Sequence, residues 1–240
     1  MQPLRQGGLC ARLARAEERE ALARLRSAAF PRKSGGAFDR YDDAAWQIVV
    51  DCEEGGQLLA AYRLGVFASG AALSESYSAQ FYDLAPLAAY PKPVLEIGRF
   101  CLADHPAGFQ ALRLGWGALA RIVDDLGAGL MIGCSSFKGA DPERHHAALA
   151  LLASGHIGPK PLLPRPKSPL RLDLPTAEFD RKSALLALPS VLRSYLSMGG
   201  WVSDHAVIDP DLDTLHVFTC VEVANIPRER ARSLRQIAGS

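Results

Sequence analysis

The sequence predicts a mixed α/β fold in one domain, and three observations lead there. Strand-like apolar runs alternate with amphipathic helical stretches along the 240 residues. WQIVVD (Trp46–Asp51) and LLAAYRLGVF (Leu58–Phe67), joined by the turn CEEGG, make an antiparallel hairpin. VLEIGRF, a long helical pattern and LMIGCSSF then form one strand–helix–strand unit over residues 94–137. With 48% hydrophobic and 22% charged residues, the chain has ordinary globular composition.

Taken in order, Gly8–Leu13 is a short strand. Ala16–Phe30 is a helix with Leu22, Leu25 and Ala29 on one face, Glu17, Glu18 and Glu20 near its start and Pro31 ending it. Pro31–Asp43 is a loop with an acidic end. After the hairpin, Ser74–Pro93 is irregular, aromatic and proline-bearing, and the third strand begins at Val94. Ala111–Leu126 is the clearest helix, with Leu112, Trp116, Leu119, Val123 and Leu126 at helical spacing. Leu130–Phe137 is a strand and Pro142–Ala153 a short helix. A proline-rich connection, Gly155–Leu172, carries Lys160, Arg165, Lys167 and Arg171. Ser183–Met198 is a helix interrupted at Pro189 and stopped by Gly199 and Gly200. Trp201–Val223 supplies further strands, and the arginine-rich end from Pro227 is expected to be a solvated helix or tail.

Several function classes drop out. A formal net charge of +1 gives no bulk signal for nucleic acid. The five cysteines, Cys10, Cys52, Cys101, Cys134 and Cys220, are scattered without a C-x-x-C pair. Neither metal spacing nor a disulfide framework is expected, and the thiols read as small buried hydrophobes. The N-terminus lacks the apolar run of a signal peptide, and no run is long enough to span a bilayer. The chain is expected in the cytoplasm, free or peripheral at the inner membrane face. GWGALA (Gly115–Ala120) matches G-x-G-x-x-A but lies within a helical pattern instead of a strand-to-helix turn. Ser135 and Ser136 lack a G-x-S-x-G elbow. His145 and His146 lack partners at metal-ligand spacing and fit a polar helix face.

The informative residues are charges in apolar surroundings: Arg26, Asp39, Asp42, Arg63, Glu96 and Arg99. A buried charge is costly unless paired. Two strands carrying charges, with an acidic loop, form either a functional cleft or a structural ion-pair network. Residues three apart in a regular strand face opposite sides, so Glu96 and Arg99 share a site only if the strand bends. Gly98, between them, is a natural place for a bulge.

These residues, in order, carry a resemblance. Leu25-Arg26…Phe30, Asp39-x-x-Asp42, Tyr62-Arg63-Leu64 and Leu95-Glu96-Ile97-Gly98-Arg99 resemble the branch of GNAT-type acyltransferases that holds acyl-homoserine-lactone synthases and ornithine acyltransferases. FYDL (Phe81–Leu84), LEIGRFCL, GCSSFKGADP (Gly133–Pro142) and the stretch Leu188–Phe218 favour the L-ornithine Nα-acyltransferases, over about Leu9–Val223. Lactone synthases usually carry a tryptophan shortly after the Arg…Phe pair, and Ser34–Phe38 has none. ADHPAGFQ (Ala103–Gln110) offers no glycine-rich pyrophosphate loop, which suits a carrier-protein donor.

The resemblance implies a GNAT-type fold, with a core about 9–175, a C-terminal part 176–240 completing sheet and cleft, and a bulged strand near Gly98. It implies transfer of a (3-hydroxy)acyl chain from acyl carrier protein to the α-amine of L-ornithine, giving lyso-ornithine lipid. Glu96 is the candidate base; the bland alternative is that it only holds Arg63 or Arg99. Arg63 or Arg99 would grip the ornithine carboxylate. Asp39 and Asp42 would hold the side-chain ammonium, or cap the loop and pair with Arg26. Backbone N–H groups near Phe100 and Cys101 would receive the oxyanion, and Ser135 and Ser136, expected to begin a turn, would orient the pantetheine arm. Phe100, Leu130, Met131, Ile132 and the long helix would line an acyl slot or serve as plain core. Lys138 and Arg144 would meet the acidic carrier protein, and the basic run Lys160–Arg171 would meet it, anionic lipid or only water. The donor is the carrier's acyl-phosphopantetheine, and neither a tightly bound cofactor nor a metal is expected. The competing readings are a lactone synthase using S-adenosylmethionine and a non-enzymatic module binding carrier protein or membrane.

Overall fold

Glycine and proline punctuation sets the element order of this chain, for which a computed structural model describes residues 1–31 and 36–239. Positions 32–35, inside the predicted loop and the tryptophan-free segment, and Ser240 lie outside the described residues. The elements are β1 (Leu4–Gln6), β2 (Leu9–Leu13), α1 (Arg19–Ala29), β3 (Trp46–Cys52), β4 (Leu58–Phe67), β5 (Tyr82–Asp83), β6 (Val94–Leu102), α2 (Gly108–Leu126) and β7 (Leu130–Lys138). They continue with α3 (His146–Gly155), β8 (Arg165–Pro166), β9 (Arg171–Asp173), α4 (Arg181–Ala187), α5 (Ser190–Ser197), β10 (Trp201–Asp209), β11 (Thr214–Glu222) and α6 (Arg228–Ala238). No helix of the described residues is long and apolar enough to cross a membrane. The chain divides into two compact units, Met1–Val66 with Leu95–Ala128 and Pro227–Ser240, and Phe67–Val94 with Gly129–Ile226.

In the first unit the strand order is β1-β2-β3-β4-β6. Gly7 and Gly8, both at positive φ, turn β1 into β2; the three-residue β1 is too short to show in a sequence pattern. Gly55 and Gly56 do the same for the β3–β4 hairpin. Its register pairs Gln47 with Arg63, Ile48 with Tyr62, Val49 with Ala61 and Val50 with Ala60. One face therefore presents Gln47, Val49, Ala61 and Arg63, and the other Ile48, Val50, Ala60 and Tyr62. The first packs on Leu22 of α1, and the second on Ala111, Leu114 and Ala118 of α2.

Three helix expectations change. The stretch before Arg19 is a 3-10 turn (Ala16–Glu18). The buried residues of α1 are Leu22 and Arg26, whereas Leu25 is half-buried and Ala29 exposed. Leu22 and Arg26 are four apart, so they share one stripe, and the stripe is centred on a charge. The buried surface of α2 is also wider than the predicted face, because it meets the sheet on one side and α6 on another. The C-terminal segment is not simply solvated: Leu234, Ile237 and Ala238 are buried on α6, and Arg235 Nε and Nη2 donate to the Asp124 carboxylate at 2.8 Å each. A Cβ on Gly117 would lie 2.5 Å from Ile237 Cγ2. The GWG motif thus serves close helix crossing.

In the second unit the antiparallel order is β7-β11-β10-β9, with β5 paired to β8. β8 and β9 lie in or at the end of the proline-rich connection that the sequence left irregular. One face of the sheet carries α3, α4 and α5 through Leu149, Leu152, Ala184, Leu188 and Leu192. The other is covered by the 67–94 segment through Leu73, Tyr82 and Leu87. The helix predicted over 183–198 is two helices because Pro189 ends the first. Leu130, Met131 and Ile132 are buried strand residues. Ser135 and Ser136 do not begin a turn; they sit inside β7, opposite Val217 and His216.

Buried His216 sits beside Tyr82, whose hydroxyl lies 3.1 Å from His216 Nδ1 and donates to the His216 carbonyl at 3.0 Å. Burial pushes the imidazole pKa down to about 3, with the His205 charge adding to the effect. Its folded pKa lies below the unfolded value, so the unfolded chain binds the extra proton. His216 therefore contributes stability that is present above pH ~6.5 and is lost as pH falls toward 3, at up to about 1.4 kcal/mol per pH unit. Urea unfolding at stepped pH should show this slope, and His216→Phe should reduce it. In the first unit, Gly117→Ala should cost about 1–3 kcal/mol through overpacking against Ile237, measured in the same way.

Candidate active site

The arginine-rich face of the first unit starts with strand register. Arg63 and Gln47 lie directly opposite on β3 and β4, and α1 brings Arg26 to the same side. Arg26 Nη1 donates to Asp42 Oδ1 at 2.7 Å, and Nη2 donates to Gln47 Oε1. Gln47 Nε2 in turn donates to Asp42 Oδ1 at 3.1 Å. Asp42 Oδ2 accepts from the Asp39 backbone N–H at 2.8 Å, closing a capping box around the short turn Arg40–Asp42. Arg63 Nη1 donates to Asp39 Oδ1 at 2.6 Å and lies 3.4 Å from Asp42 Oδ2. Arg99 Nη2 donates to Asp39 Oδ2 at 2.9 Å. Two aspartates thus bridge three arginines. Phe38 and Phe30 cover part of the cluster: the Arg26 guanidinium lies 4.8 Å from the Phe38 ring centre and that of Arg99 5.7 Å from the Phe30 ring centre.

The bend expected at Gly98 is present one residue later. Arg99 has φ 53°, a left-handed conformation that costs a non-glycine residue about 1–2 kcal/mol. A Cβ on Gly98 would lie 3.6 Å from Arg63 Nε and Nη2, so Gly98 faces the cluster. Arg99 faces it too, through Asp39. Two successive residues on one side are the mark of a bulge. Strand alternation upstream puts Glu96 on the Gly98 face, so Glu96 and Arg99 share a side, as the bend requires. Both are buried. Phe100 points the other way, stacked between Tyr62 at 5.3 Å and Trp116 at 5.7 Å. Cys101 packs under α1 with its thiol on the Ala61 carbonyl at 3.5 Å. Burial pushes that thiol up to about 12, so it carries no thiolate near neutral pH.

Burial and charge compete across the cluster. At Asp39, burial works to raise the pKa, but the Arg99 hydrogen bond and the charges of Arg63 and Arg99 hold it below the ordinary carboxylate value. At Arg26, burial lowers the pKa, opposed by Asp42. Asp39 is the most exposed of the five ion-paired side chains, with 17% accessible against 1–6% for Arg26, Asp42, Arg63 and Arg99.

The structure therefore gathers Arg26, Asp39, Asp42, Arg63 and Arg99, with Glu96 on the same face of β6. Asp42 and Arg26 have the structural pairing that the sequence offered as one of their two roles. Gln47 was missed; an amide beside the apolar run Ile48–Val50 was its signal. The remaining candidates belong to the second unit. Ser135 Oγ accepts from Thr219 Oγ1 at 2.8 Å, and Ser136 is a half-buried neighbour in β7. Lys138 is exposed at the end of β7, and Arg144 is exposed in the turn Pro142–His145. In the same turn, His145 Nε2 is 2.9 Å from the Gly139 carbonyl oxygen.

Removing one partner of the Arg26–Asp42 pair strands a buried charge. Asp42→Leu should lower stability by about 3–5 kcal/mol, whereas Arg26→Met with Asp42→Leu should cost clearly less than the sum of the two single changes. A double-mutant cycle by chemical denaturation measures this.

A family model described as an acetyltransferase (GNAT) domain matches residues 19–116, the stretch that holds the whole cluster. The L-ornithine N(alpha)-acyltransferase of Rhodobacter capsulatus is 34% identical, over 95% of this chain and 95% of its own. Its counterpart from Agrobacterium fabrum is 29% identical, over 86% of this chain and 73% of its own. Among solved structures, the N-acyl amino acid synthase FeeM from uncultured soil microbes aligns with a TM-score of 0.46 at 12% identity, covering 99% of this chain and 98% of that one. With near end-to-end similarity at 34% identity, the chain belongs to the L-ornithine Nα-acyltransferase family and has its GNAT-type fold.

Proposed function

We propose that the protein transfers an acyl chain, with a 3-hydroxyl group, from the phosphopantetheine thioester of an acyl carrier protein to the α-amine of L-ornithine, giving lyso-ornithine lipid. The observation that carries this reading is the match to an L-ornithine N(alpha)-acyltransferase along nearly the whole of both chains.

The chemistry has one obstacle and one product to manage. The α-amine of ornithine is protonated near neutral pH, and an ammonium is not a nucleophile. Glu96, on the cluster face of β6, takes a proton from it, directly or through water. The freed nitrogen attacks the thioester carbon, the carbonyl electrons move onto oxygen, and collapse breaks the carbon–sulfur bond. The nitrogen sheds two protons in all: Glu96 passes one to solvent and the other ends on the pantetheine sulfur. Backbone N–H groups around the bulge, from Gly98 to Cys101, receive the oxyanion. Arg63 or Arg99 takes the ornithine carboxylate, because a guanidinium fork matches a carboxylate. Asp39, the most exposed of the five ion-paired side chains, faces the side-chain ammonium, and Asp42 is assigned to the scaffold with Arg26. Ser135 and Ser136 are assigned to the pantetheine arm, and exposed Lys138 and Arg144 to the acidic carrier protein.

Purified protein incubated with 3-hydroxyacyl carrier protein and either ornithine or S-adenosylmethionine separates the readings by mass spectrometry. N-acyl-ornithine is expected with ornithine, and the product rate should fall at least about 100-fold in Glu96→Gln without loss of fold. Undiminished product in that variant removes Glu96 as the base. A lactone formed only with S-adenosylmethionine replaces the reading with that of an autoinducer synthase.

A further inference from the structure

Charge in the second unit is divided unevenly along the chain. Residues 157–200 hold seven lysines and arginines against three aspartates and glutamates, and the rest of the unit holds three against nine. Exposed apolar side chains divide the same way. Among the described residues, the exposed large hydrophobics of this unit are Ile157, Leu170, Leu185 and Leu186, all within 157–200. Excess positive charge and exposed hydrocarbon therefore coincide.

The two meet most closely on α4. This helix is anchored by Ala184, fully buried, and by Leu188 just beyond its end. Asp180 caps its start, accepting from the Ser183 N–H at 2.8 Å. Its outer surface carries Leu185, 39% exposed, and Leu186, 67% exposed. Arg181 and Lys182, also exposed, precede these leucines by four residues each, so each cation lies beside a leucine on the helix surface.

We propose that α4 is a peripheral membrane-contact element, in which Leu185 and Leu186 enter the headgroup–acyl boundary of an anionic bilayer while Arg181 and Lys182 sit among the phosphates. An aliphatic pair flanked by long cationic stems suits such a boundary, because the stems run along hydrocarbon and the heads reach the headgroups. Each Lys or Arg near an anionic surface contributes about 1 kcal/mol, so attachment is reversible and salt-sensitive. An acidic protein partner would need an apolar groove shaped to both leucines, whereas an anionic bilayer takes the hydrocarbon and the cations together. The inference is independent of the acyl-transfer reading.

Vesicle flotation of the full chain tests it, with phosphatidylcholine vesicles against vesicles that also contain phosphatidylglycerol. Binding is expected only to the anionic vesicles and should weaken as salt is raised. Leu185→Ser with Leu186→Ser, and separately Arg181→Glu with Lys182→Glu, should each weaken partitioning about tenfold or more while the thermal melt is kept. Should the leucine pair disturb folding, Leu186→Ser alone, at the most exposed position, gives the same reading with a smaller loss. The proposal is overturned if the full chain ignores anionic vesicles, or if both variants bind them as the parent does. It is also overturned if the variants lose affinity for acyl carrier protein and none for vesicles.

Discussion

Placing three guanidinium groups on one face of a small sheet is the constraint around which the first unit is built. Each is nearly inaccessible, and burying a cation without a partner costs several kcal/mol. Asp39 and Asp42 resolve this from a single short turn. Asp42 joins the Arg26 of α1 to the Arg63 of β4, and Asp39 joins Arg63 to the Arg99 of β6. The helix, the turn and two strands are thereby locked to one another by polar contacts that have few alternative arrangements.

The same cluster accounts for a costly backbone choice. A left-handed arginine inside a strand is unfavourable, and the Arg99–Asp39 pair offsets that cost while turning the guanidinium toward Arg63. The bulge lets Glu96, Gly98 and Arg99 share a side, with the Arg63 guanidinium lying over Gly98, where a Cβ would meet it at ordinary van der Waals distance. Under the proposed function, the base and a carboxylate-binding guanidinium then share one strand face, which a regular strand would not allow. Phe100, on the opposite side with Tyr62 and Trp116, anchors that strand in the apolar core.

Much of this was legible in the sequence because it was written locally. The β3–β4 hairpin, the long α2 and the break at Pro189 follow from periodicity and from glycine and proline. The charges in apolar strands point to a cluster or a cleft from the sequence alone. What escaped depends on contacts distant in sequence. Arg26 sits on a helical stripe where a hydrophobe is expected, and distant partners such as Asp42 and Gln47 make it a core residue. The bulge expected near Gly98 is there, but its left-handed residue is Arg99, whose guanidinium pairs with Asp39, a partner distant in sequence. The end of the chain looks solvated because four arginines are spread among its few apolar residues, yet Leu234 and Ile237 suffice once Gly117 lets α6 come close. Ser135 and Ser136 looked like a turn because small polar residues often mark one, and cross-strand pairing with β11 made them strand instead.

The central claim is that Arg63 of β4 or Arg99 of the bulged β6, both bridged by Asp39, receives the carboxylate of the amino-acid acceptor. Side-chain NMR of the arginine Nε–Hε groups tests it most directly, by titrating the protein with L-ornithine and with putrescine, the same diamine without a carboxylate. Ornithine should shift the Arg63 or Arg99 signal and leave that of Arg12, held by Glu18 and Asp51, in place; putrescine, which keeps the ammonium for Asp39 but lacks the carboxylate, should shift Arg63 and Arg99 clearly less and Arg12 not at all. Equal shifts with both ligands, or a response to ornithine at Arg12 with Arg63 and Arg99 silent, would contradict it.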